Sequence, residues 1–209
     1  MKKAFNFSDF NRVEVGGAFE AELVSADSFG IVVDAPENLF PHIKIHQEGE
    51  TLLIDYTWHF FDLVRRVSVP RARVTMPKLR VLHLHGASRG TVTGFSSADD
   101  FRLKLAGASS LSGSISTGNA NISVTGASRL TLEGDATNLV LEASGASNAA
   151  LGEFRVGNAQ VILSGASHGV VQTDGRLGVN LSGASSLRYA GAPTMGEVSI
   201  TGASNLSHS

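Results

Sequence analysis

From residue 82 onward, apolar and polar residues alternate in short blocks, and the blocks recur. Leu82-x-Leu84, Leu103-x-Leu105, Ile122-x-Val124, Leu141-x-Ala143, Val161-x-Leu163, Val179-x-Leu181 and Val198-x-Ile200 each place two apolar side chains on one side of an extended segment. That period of two marks a strand with one buried face. The intervening positions are mostly polar: His83, Lys104, Ser123, Glu142, Ile162, Asn180 and Ser199. Two residues after each pair stands a glycine that opens the tripeptide Gly-Ala-Ser. These glycines are Gly86, Gly107, Gly126, Gly145, Gly165, Gly183 and Gly202, spaced by 21, 19, 19, 20, 18 and 19 residues. Four residues after the glycine comes another mostly apolar column: Gly90, Leu111, Leu130, Ala149, Gly169, Leu187 and Leu206.

A fixed period of about 19 residues defines a solenoid. It is too short for a helix pair, and its Gly and Ser content disfavours helix. The Asn or Cys ladder and longer leucine pattern of a leucine-rich repeat are missing. The pattern predicts an all-β, parallel β-helix whose coils contain two or three short strands joined by tight bends and stack at about 4.8 Å. The repeat glycines suit a bend because glycine tolerates positive φ and close backbone approach. Such a bend can reset the alternation, so the sequence leaves open whether the motif serine points in or out. Turn residues between the glycines, such as Thr117-Gly118-Asn119 and Gly157-Asn158, mark a second bend in each coil.

Residues 1–78 alternate too, in Val13-Glu14-Val15, Phe19-Glu20-Ala21-Glu22-Leu23, Ile43-Lys44-Ile45 and Leu52-Leu53-Ile54-Asp55-Tyr56, but without Gly-Ala-Ser. Ten of the fourteen aromatics precede residue 62, and four of the five prolines lie between 36 and 77. An open solenoid end exposes core and strand edges. Residues 1–78 therefore read as irregular coils that also cap the stack, in one domain with the regular coils of 79–209. The dense patch Tyr56-Thr57-Trp58-His59-Phe60-Phe61 reads as a plug for the first coil.

Composition narrows the functional classes. The chain has 209 residues, 42% hydrophobic and 17% charged, with net charge −2 and no cysteine. That supports a packed core, excludes disulfides and thiolate chemistry, and gives no general pull toward nucleic acid. No apolar run approaches the roughly 18–20 residues of a membrane span. The opening Met1-Lys2-Lys3-Ala4-Phe5-Asn6 is basic but lacks the apolar stretch of a secretory signal.

The chemistry-bearing residues are scattered. β-Helices host enzymes that cleave acidic polysaccharides, and these need paired or clustered carboxylates. Asp99-Asp100 with Arg102 is the one weak cluster, and it falls in a turn, where Asp serves the backbone. His83-x-His85 has a spacing seen in metal sites, but the same columns of the next coil hold Lys104 and Ala106. No catalytic, cofactor or metal site is therefore expected. The column three residues after each glycine contains hydrogen-bond donors and no acid: Arg89, Ser110, Arg129, Asn148, His168, Ser186 and Asn205. Arg89, Arg129, Asn148 and His168 are its candidate binding residues, for a glycan or cell-surface polymer. The hydroxyl column before the glycines is too mixed for an ice-binding face.

The opening Phe10-Asn11-Arg12-Val13-Glu14-Val15, then Pro36-Glu37-Asn38-Leu39 with Ile43, Thr51-Leu52-Leu53-Ile54, Met76-Pro77-Lys78-Leu79 and the repeated Gly-Ala-Ser resemble a bacterial adhesin family, the head GIN domain of auto-transporter adhesins. The resemblance spans nearly the whole chain. It implies a single-domain right-handed β-helix, a cell-surface or extracytoplasmic location, and an adhesion or binding role without catalysis. The alternatives are a carbohydrate-active β-helix enzyme and an intracellular assembly solenoid. The edge strand at Val198, Ile200 and Leu206 carries little charge, so a homo-oligomer is expected.

Overall fold

The computed structural model describes residues 1–57 and 69–209. The chain is 65% strand and 3% helix, a single all-β domain built as a β-solenoid of about seven turns with about 20 residues per turn. Two ladders of parallel strands carry the coils. The ladder preceding the motif glycines runs β6 (Thr51–Tyr56), β2 (Arg12–Val15), β8 (Val81–Leu84) and β10 (Phe101–Leu105). It continues through the second halves of β11 (Ser110–Val124), β12 (Arg129–Ala143) and β13 (Asn148–Leu163), then β15 (Arg176–Leu181) and β17 (Thr194–Ile200). The ladder following the glycines runs β7 (Arg71–Met76), β3 (Glu20–Ser25), β9 (Arg89–Ser96) and the first halves of β11, β12 and β13. It ends in β14 (His168–Thr173), β16 (Ser186–Ala190) and β18 (Asn205–His208).

The register places equivalent residues on top of one another, so the alternation becomes continuous columns. Leu52, Val13, Leu82, Leu103, Ile122, Leu141, Val161 and Val179 form one inward column, each at most 2% exposed. At about 25 cal/mol per Å² of apolar surface, such columns drive the fold. The columns end at Val198 and Ile200, each 43% exposed, because β17 has a ladder partner only in β15 among the described residues.

The coil that comes first in the sequence is not first in the stack. β2 pairs with β6 on one side and β8 on the other, and β3 likewise sits between β7 and β9. Beyond them the parallel pattern stops. β5 (Ile43–Glu48) lies antiparallel on β6, while β4 (Gly30–Asp34) lies antiparallel on β7 and is itself covered by β1 (Lys2–Phe5). These antiparallel strands cover edges that parallel stacking would leave open. Tyr56 is buried there, at 3% exposure, whereas Trp58, His59, Phe60 and Phe61 of the expected plug lie outside the described residues.

The Gly-Ala-Ser corner has a specific construction. Each motif glycine has φ between +70° and +79°. A Cβ on any of them would lie 2.4–2.7 Å from the carbonyl oxygen of the glycine in the preceding coil. That oxygen accepts the alanine N–H of the next motif, as in Ala146 N to Gly126 O at 2.8 Å. The ladder begins at Gly17, whose oxygen takes the N–H of Ala87. Gly17-Ala18-Phe19 therefore occupies a motif position, with buried Phe19 in place of serine.

The motif serine points inward: Ser88, Ser109, Ser128, Ser147, Ser167 and Ser185 are at most 1% exposed. In five of these six the hydroxyl donates to the carbonyl three residues back in its own coil, as Ser88 to His85 O and Ser109 to Ala106 O, both at 2.8 Å, whereas Ser128 reaches Gly107 O of the preceding coil at 3.5 Å. Some also reach the preceding coil, as Ser147 does to Val124 O at 2.9 Å. A buried hydroxyl must be bonded, and here it serves a carbonyl that turns out of the ladder at the bend.

Candidate functional site

The alternation that buries one set of side chains turns the other set outward, so each ladder has a polar outer surface. On the ladder following the glycines, the expected donors fall in one column: Arg89, Ser110, Arg129, Asn148, His168, Ser186 and Asn205 are in register from β9 to β18. Arg89, Arg129, Asn148 and His168 are exposed. The column extends further than the repeat indicates and does contain an acid. Glu20 of β3 is in register with Arg89, and Arg71 of β7 with Glu20. Glu20 lies 2.8 Å from Arg71 Nε and 3.6 Å from Arg89 Nη1, so Arg89 is held in a surface ion-pair network. His168 Nδ1 lies 2.6 Å from Ser186 Oγ. Arg129 has no ion-pair partner among the described residues. Beside Arg71, Glu20 and Arg89 is a groove of about 800 Å³, in the size range of ligand clefts.

The outer surface of the other ladder carries a second groove, of about 640 Å³, which the repeat alone does not reveal. Arg12, Arg80, Arg102 and Lys104 line it with Asn121 and Ser123. Arg102 of β10 is in register with Val81 of β8 and Asn121 of β11, and Lys104 with His83 and Ser123.

His83 and His85 sit at the edge of this surface. No ligand-type residue follows them in the next coil, but β2, on the other side of β8, brings Glu14 into register with His83. Glu14 Oε1 lies 3.5 Å from His83 Nδ1 and 3.3 Å from His85 Nε2. Burial is the largest influence on His83 and pulls its pKa below the ordinary value of 6.5, assisted by the charges of His85 and Lys104 and opposed by Glu14. Gly16 gives His85 its room, because a Cβ there would lie 2.3 Å from His85 Cε1 and 2.6 Å from Asp55 Oδ1. Among the described residues, no group of three or more His, Cys, Asp or Glu side chains is placed to hold a metal ion.

Asp99 and Asp100 diverge to separate tasks. The Asp99 carboxylate lies 3.4 Å from Lys78 Nζ, and the Ser97 hydroxyl, followed by Lys78, holds its carboxyl below the usual range. Asp100 Oδ1 accepts from Asn119 Nδ2 at 2.7 Å. It thereby starts an asparagine ladder along the second bend: Asn138 donates to Asn119 at 2.8 Å and Asn158 to Asn138 at 2.9 Å. The sequence signal was present as Asn at the same offset in successive coils, but bend-to-bend bonding becomes evident once the coils are aligned in space.

A family model described as "Putative auto-transporter adhesin, head GIN domain" matches residues 9–193. The chain belongs to this family. Solved bacterial structures share its fold at low identity. A putative adhesin from Bacteroides fragilis has 16% identity and a TM-score of 0.89, covering 100% of this chain and 96% of that one. A putative lipid binding protein from Parabacteroides distasonis has 17% identity and a TM-score of 0.77, covering 100% and 96% respectively. A putative adhesin from Parabacteroides merdae has 14% identity and a TM-score of 0.72, covering 100% and 95%. At such identities the likeness establishes the β-solenoid fold alone. No curated protein matches the chain. Among the described residues, no helix of this GIN-family chain is long and apolar enough to cross a membrane.

Proposed function

We propose that this chain is a non-catalytic binding module of the bacterial cell surface, which holds a glycan or cell-surface polymer on the outer face of its solenoid. The observation that carries this reading is the exposed column Arg89, Arg129, Asn148 and His168, in register through Ser110 between the two arginines and on consecutive coils from Arg129 to His168. Parallel stacking repeats donor groups about every 4.8 Å, which suits an extended polymer better than a compact substrate. The family's adhesin description and the adhesin names of structural relatives agree with a binding role. The divergent partners of Asp99 and Asp100 favour a structural use of that acid pair over polysaccharide cleavage.

The test is retention of the protein on immobilised neutral and acidic bacterial polysaccharides, comparing wild type with Arg129→Ala/Asn148→Ala/His168→Ala. Wild type is expected to be retained on at least one polymer and the triple variant to be lost, with an unchanged circular dichroism spectrum. Equal retention of the variant overturns the assignment to this face. Reducing ends or unsaturated products from polygalacturonate, alginate or chondroitin, with or without calcium, overturn the non-catalytic reading.

A further inference from the structure

The groove on the ladder preceding the glycines gathers more cations than acids. The chain as a whole has net charge −2, yet Arg12, Arg80, Arg102 and Lys104 converge here. Two acids, Glu14 and Asp100, share the lining, and each has a partner other than these four cations. Glu14 faces His83 and His85, and Asp100 accepts from Asn119. Arg12 approaches Glu50 at 3.9 Å, while Arg80, Arg102 and Lys104 have no ion-pair partner among the described residues. Arg102 and Lys104 are exposed and sit two residues apart on β10, so both project outward about 7 Å from each other. In the next coil Asn121 and Ser123 occupy the same register.

We propose that this groove binds the acid groups of an anionic polysaccharide, with Arg80, Arg102 and Lys104 on its carboxylates or sulfates and Asn121 and Ser123 on neighbouring hydroxyls. The proposal deepens the binding role stated above and rests on it, but it uses a different face, so the two can fail separately. Four cations against the two acids that also line the groove leave it net positive, a site that an external anion completes, and guanidinium groups match carboxylate and sulfate geometry. A saccharide fits better than a nucleic acid because, among the described residues, no Phe, Tyr or Trp lines the groove for a base to stack on. Its amide and hydroxyl groups instead offer partners to sugar hydroxyls.

The experiment measures binding of the full chain to polygalacturonate (carboxylate only), dextran sulfate (sulfate only), neutral dextran and a single-stranded oligonucleotide. Wild type, Arg102→Ala/Lys104→Ala and Arg129→Ala/His168→Ala are compared. Binding of at least one acidic polymer is expected, with neutral dextran unbound and affinity falling as salt rises. The Arg102→Ala/Lys104→Ala variant should lose roughly tenfold or more, as expected for the loss of charge-assisted contacts. The other double variant should retain the preference for acid. The His83 ring resonance should shift when an acidic polymer binds wild type. Which acidic polymer is retained separates carboxylate from sulfate recognition. Unchanged affinity in Arg102→Ala/Lys104→Ala, equal binding of neutral dextran, or no binding of either acidic polymer overturns the proposal. Oligonucleotide binding as tight as that of the polysaccharides also overturns it, in favour of a nucleic-acid site. Neutral-glycan binding that depends on Arg129 and His168 would leave the broader binding role standing while this proposal fails.

Discussion

The carbonyl oxygen of Gly126 lies 2.5 Å from the position a Cβ on Gly145 would take, and the same oxygen accepts the N–H of Ala146 at 2.8 Å. The bend and the coil-to-coil bond thus occupy one spot. A side chain there would disturb both a positive φ and a ladder contact.

Gly145→Val is therefore expected to destabilise the protein by about 1–3 kcal/mol from backbone strain, with the clash adding to that. For a chain of this size each kcal/mol corresponds to roughly 2–4 °C in Tm. Gly152→Ala is the control, because φ at Gly152 is not positive and the nearest neighbour of a Cβ there is Val170 Cγ1 at 3.4 Å. Thermal unfolding of both variants checks the contrast. A Gly145→Val protein that melts with wild type would mean that neighbouring coils can separate at no cost.

Ser147 donates to the carbonyl of Ser144, one residue before the motif glycine, and at 2.9 Å to Val124 O. Val124 O already takes the N–H of Ser144, so the Ser144 carbonyl loses most when the hydroxyl goes. Ser147→Ala should cost about 1–3 kcal/mol, the penalty of an unsatisfied buried acceptor. Chemical denaturation measures it, and an unchanged midpoint would show that water replaces the hydroxyl.

His83 is held neutral chiefly by burial, so its folded pKa lies below 6.5. The unfolded chain then binds more protons in the window between the folded pKa and 6.5. The stability contribution is present above that window and is lost as pH falls through the folded pKa. The groups facing it are Glu14 on β2, His85 on its own strand and Lys104 on β10. Glu14→Gln should lower the His83 pKa further, and Lys104→Met should raise it. Histidine ring NMR titration reads both, and a wild-type value at or above 6.5 would contradict the burial argument.

At the far edge of the stack, Met195, Val198 and Ile200 are 40%, 43% and 43% exposed on a strand paired on one side among the described residues. Parallel edges with apolar rows template further strands. The 209-residue chain is expected to self-associate through β17, with Ile200→Lys shifting it toward monomer. Light scattering over a concentration series decides this. A wild type that stays monomeric at high micromolar concentration removes the idea, and an Ile200→Lys oligomer moves the contact to another surface.

What the sequence determined by itself was periodic and local. Columns such as Leu82, Leu103 and Ile122 were legible because every coil repeats the same short-range alternation, and stacking equal coils leaves little choice of register. The glycine bends were legible because few other residues tolerate positive φ. The donors Arg89, Arg129, Asn148 and His168 could be placed in one column for the same reason. Tertiary structure decided what period cannot carry. The motif serine turns inward in the same parity as the apolar pair before it: Leu84 and Ser88 are both buried on either side of the exposed Gly86, a continuation across the left-handed bend that only the backbone geometry decides. Glu14 meets His83, and Glu20 meets Arg89, because β2 and β3 enter the stack between strands 30 or more residues later in the chain on one side and the first regular coil on the other. No repeat encodes that insertion. It depends on Gly17 continuing the glycine ladder and on antiparallel strands covering the edges of β6 and β7, contacts between segments distant in sequence.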